Sequence, residues 1–354
     1  MNRMRWRQLW AVFRLELGKS FLSRRGAWIY ALALLPVLLF LGHGWITARQ
    51  HRWRVEHASP GLARQDMQAV QPGMPRDELL RRLPHPGRRV SFTRRGEPRE
   101  VLTYSDGSTE WRILVRNGKV ASVTARSGCD WNEDKLLFAA IFQVFFLRLV
   151  TFFGCLFVFL NLIRGEVLDK SLHYYFLTPV KRELIVIGKY LAGLVATTVI
   201  FTVSVALQLV VLYFHFAGDE ARQHLLGGEG VLHVAQYLGI TALACVGYGG
   251  VFLVAGVLGR NPLIPAALVF LWESINGVLP SALRKVSIIY YLKSLCPVEI
   301  PISRDVPPPL ALLAVNVDPA PAWLAIPGLL VVAAAMVAIA AWRTRQMEIS
   351  YAAD

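Results

Sequence analysis

Charge, apolar spacing and a helix breaker coincide in one stretch of the chain. It reads Gly165-Glu166-Val167-Leu168-Asp169-Lys170-Ser171-Leu172, continues through Phe176-Leu177-Thr178-Pro179-Val180-Lys181-Arg182-Glu183-Leu184-Ile185, and closes on Gly188-Lys189. Glu166 opens an amphipathic helix whose apolar side uses Val167, Leu168, Leu172 and Tyr175 at helical spacing. Thr178-Pro179 ends it, because proline lacks an N–H and restricts the residue before it. Lys181 and Arg182 then stand at the mouth of the next apolar run. Taken alone, this is an interfacial helix flanked by positive charge, with no bond-breaking chemistry.

A second group of charges lies inside apolar runs. Arg148 sits near the middle of one, where a bare charge costs roughly 3 kcal/mol or more. Snorkelling would relieve that cost; the alternative is an inward-facing guanidinium paired with an acid, for which Glu273 is the best candidate. Only Arg148, Glu273 and Asn276 offer polar groups at such depth, too few for a membrane enzyme. Gly18-Lys19-Ser20 looks like the end of a P-loop, but Phe13 stands where that motif requires glycine, so ATP is not bound that way. His215, His224 and His233, near Asp219, have a spacing without ligand logic, and no metal is expected. No paired-carboxylate, Gly-x-Ser-x-Gly or His-Glu-x-x-His arrangement occurs; catalytic residues are therefore not expected.

The elements that hold these residues follow from composition. Of 354 residues, 55% are hydrophobic and 18% charged, with a mean hydropathy of +0.43. A soluble domain carries about 25% charge. The deficit falls in long apolar runs, which excludes a disordered, collagen-like or disulfide-built chain and makes this an integral membrane protein. A net charge of +14 then marks the side facing the cell interior and anionic lipid rather than nucleic acid.

A helix needs about 20 apolar residues to cross the hydrocarbon. Six runs qualify: 26–46 (apolar from Ala27 to Ile46, with Pro36 inside), Leu136–Ile163, Leu184–Phe216, Val231–Leu258, Leu263–Leu279 and Trp323–Trp342. The fifth is short. Basic residues crowd residues 1–25 and 164–189, whereas the loop with Asp219, Glu220 and Glu229 is acidic, so both termini are expected inside. Arg284 and Lys285 run against this pattern. The first apolar run is too long for a signal peptide and reads as a retained anchor. Cys155 and Cys245 should be buried fillers, while Cys129 and Cys296 fall outside, where a bridge is conceivable and two free thiols are the expectation.

Residues 47–134 are too polar and too long for a plain loop. Pro72-Gly73-Met74-Pro75 precedes a short helix, Arg76 to Leu83, with Asp77 and Glu78 in its first turn. Val90–Phe92, Val101–Tyr104, Trp111–Val115 and Val120–Thr124 alternate as strands, and Asn117-Gly118 signals a two-residue hairpin turn. The pattern over roughly residues 70–125 resembles the SmpA/OmlA family of small outer-membrane lipoproteins, without that family's lipid-bearing cysteine. The resemblance implies a small α+β fold; the domain reads as a rigid outside module packed on the transport unit, with a binding face for substrate or a periplasmic partner as the alternative.

The order of residues in the 165–189 stretch resembles the ABC-2 transporter permeases, with an acid, a Ser-Leu helix, a Pro-x-x-Arg turn and a Gly-Lys at the next span. The likeness extends to the basic segment Leu9–Phe21 and to Trp272-Glu273 with Pro280. Lys170 stands where many members have glycine, and His173-Tyr174-Tyr175 is less aliphatic than usual. The resemblance implies a membrane all-α fold of six spans (TM2–TM6 within residues 135–354) plus the extracytoplasmic α+β domain. It also implies a permease subunit, more an exporter than an importer, paired with a second copy or a paralogue. A separate ABC ATPase would bring ATP and Mg. The helix at about 166–177 would dock on that ATPase, with Glu166, Lys170, Leu172, Pro179, Lys181 and Arg182 as coupling residues. The setting implied is a bacterial cytoplasmic (inner) membrane, with lipid as a partner and no nucleic acid. A rival reading is a membrane-anchored assembly or sensing protein acting through residues 47–134, for which six spans are excessive.

Overall fold

A computed structural model of the chain describes residues 3–22, 27–83, 85–94, 97–107, 109–127, 131–166, 177, 179–215, 219–258, 263–276, 279–300 and 320–346. It divides into two compact units, Phe40–Asp134 and the remainder.

The larger unit is helical. Helix α1 is Arg3–Leu22 and α2 is Ala27–Glu56, which runs on past its apolar stretch, since no glycine or proline stands between Thr47 and Ser59. Pro36 lies inside α2 without ending it, a tolerance common in apolar spans. After two elements of the smaller unit, α3 (Arg64–Gln68) and α4 (Arg76–Arg82), the long helices resume with α5 (Trp131–Ile163). Its middle, Ile141–Thr151, winds as a π-helix, and a second π-helical turn, Asn161–Gly165, closes it. Helix α6 is Arg182–His215, α7 Asp219–Leu226 and α8 Glu229–Leu258.

Among the described residues, five helices are long and apolar enough to cross a membrane: α2, α5, α6, α8 and Ala322–Arg345, here α12. The stretch expected as the fifth of six spans is α9, only Leu263–Ser274, followed by α10 (Ser281–Arg284) and α11 (Ile288–Ser294). Twelve helical residues rise about 18 Å, against about 30 Å of hydrocarbon. The sequence itself turns there, at Asn276 and Pro280. Ile288 packs at Gly247, well inside α8, and Ser294 accepts the Ala320 N–H at 3.0 Å just before α12. The stretch is therefore broken into short helical pieces rather than one long span.

Aromatic packing fills the centre. Phe152 meets Tyr248, Phe252 and Phe270 edge-on at 5.4, 4.9 and 5.2 Å. Gly249 lies so close to the Phe159 ring that a Cβ there would stand 2.6 Å from it, which is how α5 and α8 approach each other. Cys155 and Cys245 are buried between these helices, and Cys296, half-buried, directs its thiol to the Leu292 carbonyl at 3.4 Å. Cys129 lies outside the described residues.

The smaller unit is an antiparallel meander of β1 (Arg88–Arg94), β2 (Glu97–Ser105), β3 (Thr109–Arg116) and β4 (Lys119–Ser127), in that spatial order. Arg116 pairs with Lys119 across Asn117 and Gly118, whose φ values of 50° and 74° are what a type I′ turn requires. Leu79 within α4 and Leu83 just after it close over Leu102, Tyr104, Ile113, Val115 and Val120 to form the core. Buried Glu100 is held by Arg76 at 2.8 Å and by Arg89.

Candidate functional site

The stretch that opens the sequence argument meets the N-terminal helix at a buried ionic cluster. Lys189, in the second turn of α6, is 1% exposed, and Glu16 of α1 is 2% exposed. Its ammonium donates to Glu16 Oε1 at 2.9 Å, to the Leu162 carbonyl at 3.0 Å, and lies 2.7 Å from Glu166 Oε1. An ammonium has three donors, and here each has an acceptor. Lys19, half-exposed, adds contacts of 3.4 Å to Glu166 and 3.7 Å to Glu16, so two cations balance two acids.

Local sequence explains how the groups converge. Along α1, Leu9, Val12 and Glu16 recur at three- and four-residue spacing and share the face turned to α6. Gly188 permits the approach, since a Cβ there would stand 2.8 Å from Val12 Cγ1. The Gly-Lys pair is thus one device, the glycine admitting α1 and the lysine fastening it. Glu166 follows the π-turn that ends α5, and burial pushes its carboxyl above the usual range against the pull of Lys189.

Around this cluster the predicted coupling residues are placed unevenly. Pro179 is exposed, and its carbonyl accepts from Gln8 of α1 at 3.1 Å. The Lys181 carbonyl receives the N–H groups of Leu184 and Ile185, its side chain staying exposed, and Arg182 begins α6. Lys170, Leu172 and residues 167–176 as a whole lie outside the described residues. Arg345, at the end of α12, pairs with Glu183 at 2.7 Å, so the last long helix ends beside the start of α6. The sequence gives Lys19 as part of the basic N-terminal segment and as the end of an incomplete P-loop motif, and does not mark Glu16 as a partner. The available signal was a lone acid in a basic helix, on the face of Leu9 and Val12.

Arg148 and Glu273 are both buried, at 6% and 5% exposure. Each lies within electrostatic reach of the other, but no ion pair joins them among the described residues. Glu273 instead accepts from the Ser287 hydroxyl at 2.9 Å and from the Ile288 and Ile289 N–H groups at 3.0 and 2.8 Å. The carboxylate thereby seals the break between α9 and α11, satisfying backbone donors that no helix bond takes up. On the other side of the sequence argument, His224 and His233 come together with ring centroids 5.4 Å apart; the side chains of His215 and Asp219 lie outside the description. Among the described residues no three metal-binding side chains form a group.

Residues 136–257 match the family model described as ABC-2 family transporter protein. The match, about a third of the chain, runs from α5 through most of α8 and contains Arg148, Glu166, Pro179, Lys181, Arg182 and Lys189, but neither Glu16 nor Glu273. No curated protein and no solved structure matches the chain.

Proposed function

We propose that this multi-pass membrane protein, built around an ABC-2 family transporter domain at 136–257, is the permease subunit of an ATP-driven exporter. A separate ABC ATPase supplies ATP and Mg, and a second permease copy or paralogue completes the membrane part. The proposed setting is a bacterial inner membrane with both termini cytoplasmic. What carries the reading is the Lys189 cluster, because it ties Glu166, the first residue of the proposed docking helix, to both α6 and α1.

Force follows from that connectivity. When the ATPase pair closes, the 166–177 segment moves with it. Glu166 cannot leave Lys189 without exposing a buried, uncompensated charge, so α6 moves too, and Glu16 brings α1. Affinity purification of the tagged chain from its own membranes tests the partner directly, and an ABC ATPase is expected to co-purify. Leu172→Asp should abolish co-purification, whereas Lys181→Ala should do little, since a rim charge is worth under about 1 kcal/mol. Retained binding and hydrolysis in Leu172→Asp would overturn the coupling route.

A further inference from the structure

Three of the long helices enclose a groove of about 570 Å³, open along one side. Helix α12 lines it from Leu330 to Ala341, α6 from Ile187 to Leu194, and α8 at Val246; four alanines on α12 give it depth. Its one polar side chain, Tyr190, donates its hydroxyl to the Val246 carbonyl at 3.0 Å, so the walls offer nothing to a polar solute. At 1.5 Å per residue the α12 wall is about 16 Å long, close to half of the roughly 30 Å of hydrocarbon, which is the depth of one leaflet. One end of the groove is charged. Leu330, Ala334, Val337 and Ala341 recur at helical spacing, and the next step along that face is Arg345. The facing stripe of α6 runs back from Leu194 through Ile187 to Glu183. Arg345 Nη2 and Glu183 Oε2 meet there at 2.7 Å, and the Arg345 side chain is 58% exposed. Lys181, Arg182 and Arg343 flank the pair in the chain, so one acid stands among four cations.

We propose that this groove seats one anionic phospholipid, its acyl chain along α12 and its phosphate on Arg345. Apolar walls alone do not select a lipid, since bilayer chains are as apolar as the groove. Selection comes from the headgroup. A guanidinium has five N–H donors, and Glu183 engages it through Nη2, which orients the fork toward a phosphate. The surplus of cations then favours a headgroup with net negative charge. A second copy of this chain is the poorer occupant, because a two-fold partner in the same bilayer sets basic end against basic end. No ATPase enters this inference, so its failure and that of the exporter reading are separate results.

Native mass spectrometry of the purified full chain, released from phosphatidylcholine nanodiscs containing a fraction of phosphatidylglycerol, counts the lipids that stay bound. Wild type should retain one phosphatidylglycerol per chain in preference to phosphatidylcholine. Arg345→Gln should lower that retention about fivefold, whereas Glu183→Gln should keep it, because it removes a negative charge from the rim. Equal losses in these two variants would reduce the pair to a tie between helices and overturn the headgroup contact. Ala338→Phe, at an exposed position of the groove, should lower retention of either lipid. It decides the matter if Arg345→Gln does not fold. Unchanged retention in Ala338→Phe, or no preference for phosphatidylglycerol in wild type, overturns the proposal. So does a lipid-free dimer that Ala338→Phe breaks, which would assign the groove to a second copy.

Discussion

At the scale of single residues, Lys189 holds the account together. It stands between two buried carboxylates, and removing it leaves them the half-exposed Lys19 in place of a buried counter-charge. Lys189→Met should cost about 3–5 kcal/mol, measured as the loss of unfolding free energy in detergent. Glu166→Gln should act differently. Burial holds the Glu166 carboxyl above the ordinary 4.5 of a glutamate, so the folded chain binds that proton more tightly than the unfolded one. Stability contributed at this site is therefore greatest below 4.5 and declines as pH rises through the raised value. Glu166→Gln should flatten that decline, read as melting temperature against pH; an unchanged slope would mean that Glu166 does not titrate in this window. Sequence legibility at this scale was partial. Glu166 and Lys189 stood out because a local order of residue types surrounds them, whereas Glu16 lies 173 residues from Lys189 and no local pattern joins the two.

Elements that depend on local rules were legible throughout. The Asn117-Gly118 turn, the alternation in β2 and β3 and the short helix after Pro75 follow from backbone preferences within a few residues, and their structures agree with the reading. The long apolar helices were legible for the same reason, by hydropathy summed over a span. The break at residues 274–288 was not, because hydropathy alone does not show whether a run continues as one helix. Glu273 and Asn276 were visible there, but only the fold reveals that the acid serves backbone N–H groups. Packing of α1 on α6 belongs to this scale too, and it rests on the missing side chain at Gly188. Gly188→Leu should force the helices apart at Val12 and destabilise the chain by about 1–3 kcal/mol through overpacking. Cysteine cross-linking between α1 and α6 should weaken in parallel, and an undiminished cross-link would show that the contact tolerates the added volume.

On the scale of the whole molecule, the helical unit gathers α1, the end of α5, the start of α6 and the end of α12 at one end. Glu166 and Pro179, which flank residues 167–176 in the chain, both lie beside that gathering point, so a partner acting between them would act on four helices at once. On the proposed function, Glu16 transmits this action without touching the partner. Glu16→Gln removes the charge and keeps the shape. ATP hydrolysis by the co-purified ATPase, measured in proteoliposomes against its rate without the permease, tests the claim most directly. Glu16→Gln should still bind the ATPase while hydrolysis no longer responds to the permease. An unchanged response with full binding would contradict it.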